Sequence, residues 1–405
     1  MRTVLALVVL ALLSGACSVT GTPVPAPAAG SGPVFGVLGA QQEHAAEEVR
    51  AGVPAAMIEM FWDRAEPADG TFDRDYLRSV ASEVRAARTA GRTVTLALGL
   101  HYAPQWLLAR PGARFVDQSG KEADQPDLVF DQVNRTKAEE YLGAVGDAID
   151  LAGVSAIRLT SGGNAEILYP GGNSYWAYGE GAQNGPEKPA SLRPNPMPGW
   201  RPGDPAPQAQ VRAFADWYVT ALDDVVAWQA NVLSSRGFRG EYQLLTPGVG
   251  VLPAQYDDAV RGGLPPGLLG SGAAWATFYA GLPQRADLVA YTPSVADGSG
   301  DDGACTPADA RVSLTSDDVQ DWSAVRWLTR LATEHGLPIS GENPGWQQPG
   351  SSESSYQDTS DGGMLATAVR QVRACGLRTF YWAHDEQLWD GTLPFSAYAA
   401  AIGSK

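Results

Sequence analysis

The sequence predicts a single (β/α)8 barrel on three observations: eight short apolar runs suit buried strands, amphipathic helical patterns lie between them, and long loops follow the strands only. The runs occupy residues 34–39, 55–61, 93–100, 156–161, 242–246, 288–291, 337–341 and 379–382. Strand and helix alternate eight times, which is the pattern of this barrel. We therefore expect residues 33–405 to form one domain.

Apolar stripes at helical spacing justify the helices. Leu77, Val80, Ala81 and Val84 share one face of a helix that begins after Asp73. Similar stripes run through residues 141–149, 214–225 and 325–331. The turns that lead from a helix into the next strand are short, at 89–92, 152–154, 335–336 and 375–376.

The segments that follow the strands are long, at residues 101–132, 167–206, 247–272, 292–316 and 343–362. Long loops in a compact domain are usually functional, and the active site of a (β/α)8 barrel lies at the carboxyl ends of its strands. This asymmetry favours an enzyme. The alternative is a two-lobed, doubly wound α/β binding protein, which has less need of catalytic carboxylates.

Composition and charge narrow the choice of ligand. A chain with 44% hydrophobic residues is not a disordered one. The net charge of -16 would repel nucleic acid over most of the surface. The four histidines are too scattered for a zinc site, and no phosphate loop or nucleophile elbow occurs. We predict a neutral ligand, with neither a metal nor a cofactor.

The amino terminus predicts export. Residues 1–17 carry a basic Arg2, an apolar run from Val4 to Leu13 and small residues before Cys17, which is the layout of a signal peptide. SGAC resembles a bacterial lipobox, in which Cys17 becomes the lipidated first residue of a membrane-anchored protein. Ordinary cleavage would instead release a secreted protein. Residues 18–32, rich in Pro, Gly, Ala and Ser, are expected to form a flexible linker.

Cys305 and Cys375 remain once Cys17 is lipidated, and exported cysteine pairs usually oxidise. The predicted barrel places Cys305 in a loop at the carboxyl face and Cys375 at the end of a helix, near the opposite face. A disulfide needs Cα atoms within about 7 Å. The pair can therefore form only if the loop 292–316 folds down the barrel wall.

Two glutamates stand where predicted strands end. The fourth run leads into SGGNAEILYP, which contains Glu166, and the seventh into ISGENPG, which contains Glu342. Glycosidic cleavage needs one carboxyl group to protonate the leaving oxygen and another to attack the sugar or activate water. Most acidic residues are only solvated surface charges, but these two lie beside Gly, Asn and Pro at a barrel mouth. We therefore expect Glu166 and Glu342 to be catalytic.

These segments resemble known glycosidases. GGNAEILYP resembles the GPAGELRYP segment of β-amylases (family 14), whose Glu is the general acid, and ISGENPG resembles their AGEN segment, whose Glu is the general base. EMFWDRAEPADGTFD resembles the W-x-x-x-EP-x-x-G-x-F-D pattern of family 42 β-galactosidases, and HYAPQWL resembles their Ala-Pro-x-Trp-Leu. The resemblance implies a (β/α)8 glycoside hydrolase with Glu166 as the acid. The sugar and linkage do not transfer.

Loop aromatics suit stacking on sugar rings, and polar residues beside them can bond hydroxyl groups. The alternative is packing in the core or, for the pair at 384–385, a structural role at the rim. The predicted substrate-binding residues are Trp62, His101, Trp106, Asn164, Tyr169, Tyr291, Asn343, Trp346, Trp382, His384 and Asp385.

The leading hypothesis is an exported glycoside hydrolase that acts on an oligo- or polysaccharide. Its rivals are a non-catalytic sugar-binding lipoprotein of a transport system and a barrel that has lost its activity. A carboxyl separation of about 5 to 5.5 Å would mean retention of anomeric configuration, and about 6.5 to 9.5 Å inversion. The likeness of both Glu segments to β-amylases favours inversion, whereas the resemblance of the second- and third-strand motifs implies retention.

Overall fold

The computed structural model describes residues 32–300, 303–345 and 353–403, and in this part of the chain it contains ten strands. Eight strands close into a parallel barrel in the order β1-β10-β9-β8-β7-β6-β3-β2, which confirms the predicted fold and excludes a two-lobed doubly wound protein. The strands are β1 Val34–Leu38, β2 Ala55–Glu59, β3 Thr93–Ala97, β4 Arg114–Val116, β5 Glu122–Pro126, β6 Ala156–Leu159, β7 Glu241–Leu245, β8 Leu288–Thr292, β9 Ile339–Glu342 and β10 Thr379–Trp382.

Helices cover the outside of the barrel. In α3 the Asp73 carboxylate accepts hydrogen bonds from the backbone N–H groups of Asp75 and Tyr76, which satisfies two free donors at the helix start. The helices are α1 Ala45–Arg50, α2 Trp62–Ala65, α3 Arg74–Thr89, α4 Gln105–Leu108, α5 Gln132–Ala148, α6 Gln208–Ser235, α7 Pro253–Arg261, α8 Trp275–Gly281, α9 Ala324–Glu334, α10 Glu353–Gln357, α11 Met364–Ala374 and α12 Phe395–Gly403.

Two strands stand outside the barrel. β4 and β5 form an antiparallel hairpin in the loop after β3, where the sequence showed no strand pattern. The hairpin joins the loop after β6, because Tyr178 donates its backbone N–H to the carbonyl oxygen of Val116 over 3.1 Å. The loops after β3 and β6 therefore make one wall at the carboxyl end of the barrel. We call this the loop wall.

The interior of the barrel contains polar groups between its apolar side chains. The hydroxyl groups of Thr95 and Tyr381 lie 2.7 Å apart, and Gln243 is 1% exposed. Ala55 and Leu245 pack with Tyr381 in the same interior cluster. A buried tyrosine hydroxyl needs a partner, and here the strands themselves supply one below the barrel mouth.

Cys305 and Cys375 form a disulfide with their Cα atoms 4.8 Å apart. The disulfide was expected only if the loop 292–316 folds down the barrel wall. This loop, which follows β8, does run along the outer wall beside α11. Upstream of Cys305, the backbone N–H of Ala296 donates to the side-chain oxygen of Gln371 in α11 over 2.8 Å. The loop is thus fastened to α11 at two points.

The predicted signal peptide, Cys17 and the linker up to residue 31 lie outside the described residues. The described chain forms one compact unit that begins at Gly32. Within it, no helix combines the length and the apolar character needed to cross a membrane.

Candidate active site

Glu342 is the last residue of β9 and is only 9% exposed. Its Oε2 accepts two hydrogen bonds, from the hydroxyl group of Tyr291 at 2.6 Å and from the guanidinium of Arg158 at 2.5 Å. Tyr291 lies on β8, and Arg158 reaches Glu342 from β6. Three barrel strands thus position this carboxylate before any ligand binds.

Arg158 is the cation of the barrel mouth and is 8% exposed. Its guanidinium lies over the rings of Tyr291 and Tyr381, 4.6 and 5.7 Å from their centroids. Burial opposes its charge, but the neighbouring Glu342 carboxylate outweighs burial and raises the pKa of Arg158 above its ordinary value. Arg158 and Glu342 therefore form a buried, hydrogen-bonded ion pair.

Glu166 lies in the loop after β6, at the same end of the barrel as Glu342. Burial raises the pKa of Glu166, and the negative charge of Glu342 raises it further. Its own backbone N–H and the positive charge of Arg158 act in the opposite direction. The two predicted glutamates thus have unlike environments, because burial raises the pKa of Glu166, whereas Glu342 accepts two hydrogen bonds.

Backbone hydrogen bonds hold the segment around Glu166 in place. Ile167 donates to the carbonyl oxygen of Leu245 over 3.0 Å, and Tyr169 to that of Ser271 over 2.9 Å. Gly162 turns the chain after β6 with a φ of 88°, a left-handed conformation that favours glycine. These contacts fix the loop that carries the carboxyl group.

Tyr169 is fully buried in the loop wall, which corrects the prediction that it touches sugar. Its ring stacks on those of Tyr218 and Phe130, with centroids 4.1 and 5.8 Å away. Its hydroxyl group donates to the backbone carbonyl oxygen of Tyr218 over 2.8 Å. Tyr169 therefore anchors the segment of Glu166 to the loop wall.

A third carboxyl group, Glu59, ends β2 and was not predicted as a site residue. Burial raises its pKa, while Arg158 lowers and Glu342 raises it, so Glu59 belongs to the same cluster. His101 and Tyr102 follow β3 with ring centroids 4.0 Å apart. Burial lowers the pKa of His101 to about 4, so its imidazole is neutral at neutral pH.

A signal in the sequence could have identified Glu59 and Arg158. Each is a charge inside an otherwise apolar strand run, AAMIEMF and AIRLTS. Charged residues are almost never fully buried without a partner, so a charge at this place indicates a side chain that points into the barrel mouth.

Three other predicted contacts are only partly buried. Trp106 donates its indole N–H to the backbone carbonyl oxygen of Glu66 over 2.9 Å. Asn164 has a buried side-chain oxygen with no hydrogen-bond partner among the described residues. The side chain of His384 is 46% exposed, with Nδ1 3.5 Å from Glu386. Trp106, His384 and His101 thus keep part of their ring surface accessible, whereas the side-chain oxygen of Asn164 is buried.

Trp62 and Trp382 are fully buried, so the prediction that their rings stack on sugar is wrong. Trp62 stacks on Tyr141 with centroids 5.6 Å apart, and its indole N–H donates to Glu66 over 2.7 Å. The ring of Trp382 packs against Tyr356 at 5.0 Å. Both are core residues.

Asn343, Asp385 and Tyr291 are at most 1% exposed, which corrects their assignment as sugar contacts. Asn343 accepts the backbone N–H of Ala383 over 2.8 Å, and Asp385 that of Gln41 over 2.9 Å. Asn343 and Asp385 thus hold the loops at the barrel mouth, and Tyr291 donates its hydroxyl hydrogen bond to Glu342. Trp346 lies outside the described residues.

No family model matches the sequence, and no curated protein matches it. Solved structures do match. The catalytic domain of a β-amylase from Paenibacillus polymyxa is 16% identical, with a TM-score of 0.62 over 91% of this chain and 97% of that one. An endoglucanase of family GH5-4 from an uncultured bacterium is 14% identical, with a TM-score of 0.50 over 90% of this chain and 85% of that one.

A β-galactosidase from Marinomonas ef1 is 13% identical, with a TM-score of 0.54 over 86% of this chain and 53% of that chain. At such identities the similarity is one of fold. The chain has the (β/α)8 barrel that these three glycoside hydrolases share.

Proposed function

We propose that the chain is a glycoside hydrolase that cleaves O-glycosidic bonds in an oligo- or polysaccharide. Glu166 donates a proton to the leaving oxygen, and Glu342 removes a proton from the attacking water. The carrying observation is that the two carboxyl groups at this end of the barrel have different surroundings. Glu342 accepts charged and neutral hydrogen bonds from Arg158 and Tyr291, whereas burial and the charge of Glu342 raise the pKa of Glu166.

The different surroundings suit the two carboxyl groups to different steps of hydrolysis. A carboxyl group whose pKa is raised keeps its proton closer to neutral pH and can transfer it as the bond breaks. Glu342 has one oxygen occupied by two donors, and no described residue bonds its other oxygen, Oε1, which can face water. The three matched structures, named as a β-amylase, an endoglucanase and a β-galactosidase, support a carbohydrate substrate.

We expect inversion of the anomeric configuration. The test begins with a screen of 4-nitrophenyl glycosides, starch, β-glucans, xylan and galactan, and continues with the best substrate. Proton NMR during the first minutes should show the anomer opposite to that of the substrate. A product with the substrate's own configuration would instead make Glu342 the nucleophile. Absence of hydrolysis across the screen would contradict the proposed function.

We also propose that the protein is exported and tethered through a lipid on Cys17. The Cys305–Cys375 disulfide supports an oxidising compartment, since such bonds are rare in the cytosol. Full-length protein from the native membrane fraction should yield an amino-terminal peptide that begins at a diacylated Cys17, by mass spectrometry. A Cys17→Ala chain serves as control and should leave the membrane. An unmodified amino terminus in the culture medium would show secretion instead.

A further inference from the structure

Tyr102 is unusual among the described residues because its large side chain is exposed. Only Tyr102 and Leu268 are exposed large hydrophobic residues in this part of the chain, and Tyr102 is 38% exposed. It follows β3 at the carboxyl end of the barrel, beside the cluster of carboxyl groups. The exposed part of an aromatic ring at a barrel mouth is apolar surface that the fold leaves uncovered, so Tyr102 is a candidate contact for a ligand.

The ring is held in place. Its centroid lies 4.8 Å from that of Phe61 and 4.0 Å from that of His101, in tilted contacts. The backbone carbonyl oxygen of Tyr102 accepts the N–H of Asp63 over 3.0 Å, which joins the loops after β2 and β3. Phe61 is fixed in turn, because its N–H donates to the hydroxyl group of Tyr76 over 2.9 Å. The exposed surface is therefore preorganised, which reduces the entropy cost of binding.

The strand pairing places Glu59 beside the loop that carries Tyr102, because Glu59 at the end of β2 is in register with Ala97 at the end of β3. Glu342 acts on Glu59, and Glu59 acts on Tyr102, whose pKa is raised by burial and then by Glu59 and Asp63. Glu59 accepts no hydrogen bond from a described residue, so its oxygens are available to hydroxyl groups. Glu59 and Tyr102 thus follow two neighbouring strands at the same end of the barrel as Glu166 and Glu342.

We propose that Tyr102 and Glu59 form a subsite for a second, uncharged pyranose unit beside the cleavage point. The ring of Tyr102 packs on the C–H face of that sugar, and Glu59 accepts a hydrogen bond from one of its hydroxyl groups. This inference rests on the proposed function and adds which residues bind the sugar unit beside the cleavage point. A ligand that fills only the reacting position does not touch Tyr102.

Binding can be measured without turnover in the Glu166→Gln chain, by calorimetry with maltopentaose, cellopentaose, laminaripentaose, xylopentaose and galactopentaose. Adding Tyr102→Ala should raise the Kd of the bound pentasaccharide about tenfold. Tyr102→Phe keeps the ring and should leave Kd within about twofold of the parent. An equal Kd for Tyr102→Ala, or no binding by any of the five sugars, would overturn the subsite.

Kinetics in the otherwise wild-type chain supply the second readout. Tyr102→Ala should raise KM for the pentasaccharide about tenfold, whereas kcat/KM for the glycosyl fluoride of the same sugar should stay within about twofold. Equal losses on both substrates would indicate a structural defect and overturn the proposal. The two proposals can fail separately, because pentasaccharide binding that depends on Tyr102 would support the subsite even if nothing were hydrolysed.

Discussion

Replacement of Glu166 or Glu342 by Gln is expected to lower kcat on an unactivated oligosaccharide by about 10³-fold or more. Gln has nearly the volume of Glu, but it neither supplies a proton nor carries a charge. The two variants should differ on a 2,4-dinitrophenyl glycoside, whose leaving group departs without protonation. Glu166→Gln should recover much of its activity on that substrate, and Glu342→Gln should not.

The matched control is Glu122→Gln, an exposed position in the β5 hairpin, which should leave kcat unchanged. Thermal unfolding of each variant separates loss of fold from loss of chemistry. This measurement matters most for Glu342→Gln, because the substitution leaves the buried guanidinium of Arg158 without its carboxylate. Full activity of a folded Glu166→Gln or Glu342→Gln chain would remove that residue from the mechanism.

Arg158→Gln is expected to have the second largest effect. Loss of one partner from a buried ion pair costs about 3 to 5 kcal/mol of unfolding free energy, because the other charge stays buried and unpaired. Arg158 also lowers the pKa of Glu166. Without it the Glu166 proton is held more strongly, so the alkaline limb of the kcat/KM profile should move to higher pH.

A double-mutant cycle distinguishes the two roles of Arg158. If it acts only through Glu342, the double variant Arg158→Gln with Glu342→Gln should be more stable than the sum of the single losses predicts. The pH profile of Arg158→Gln provides the readout that a purely structural residue would not change. An unshifted alkaline limb in a folded variant would contradict the proposed coupling to Glu166.

The barrel could be predicted from the sequence because its strands are nearly continuous apolar runs and the turns between helix and strand are short. The run at β8, LVAYT, is buried at every position, as expected for a strand covered on both faces. Glu166 and Glu342 could be placed at one barrel mouth because parallel strands bring their carboxyl ends to the same face. That inference needs topology alone.

The aromatic residues could not be assigned in this way. Trp62, Tyr169 and Trp382 stand in or beside long loops, as sugar contacts do, yet all three are fully buried. The loops themselves contain a core, which includes the ring stacks of Tyr169 in the loop wall. Whether a loop aromatic faces that core or the mouth depends on distant packing, which local sequence does not record.

The free energy of unfolding depends on the compartment in which the protein lies, because the Cys305–Cys375 disulfide persists only where conditions are oxidising. It joins positions 70 residues apart, so it removes loop-closure entropy from the unfolded chain and stabilises the native fold by about 4 kcal/mol in the chain-entropy model. In a reducing compartment the disulfide does not form. The unfolded chain then has more conformational entropy, and the free energy of unfolding is smaller. Under the export proposed above, this bond would form outside the cytoplasm and supply its share of the stability there.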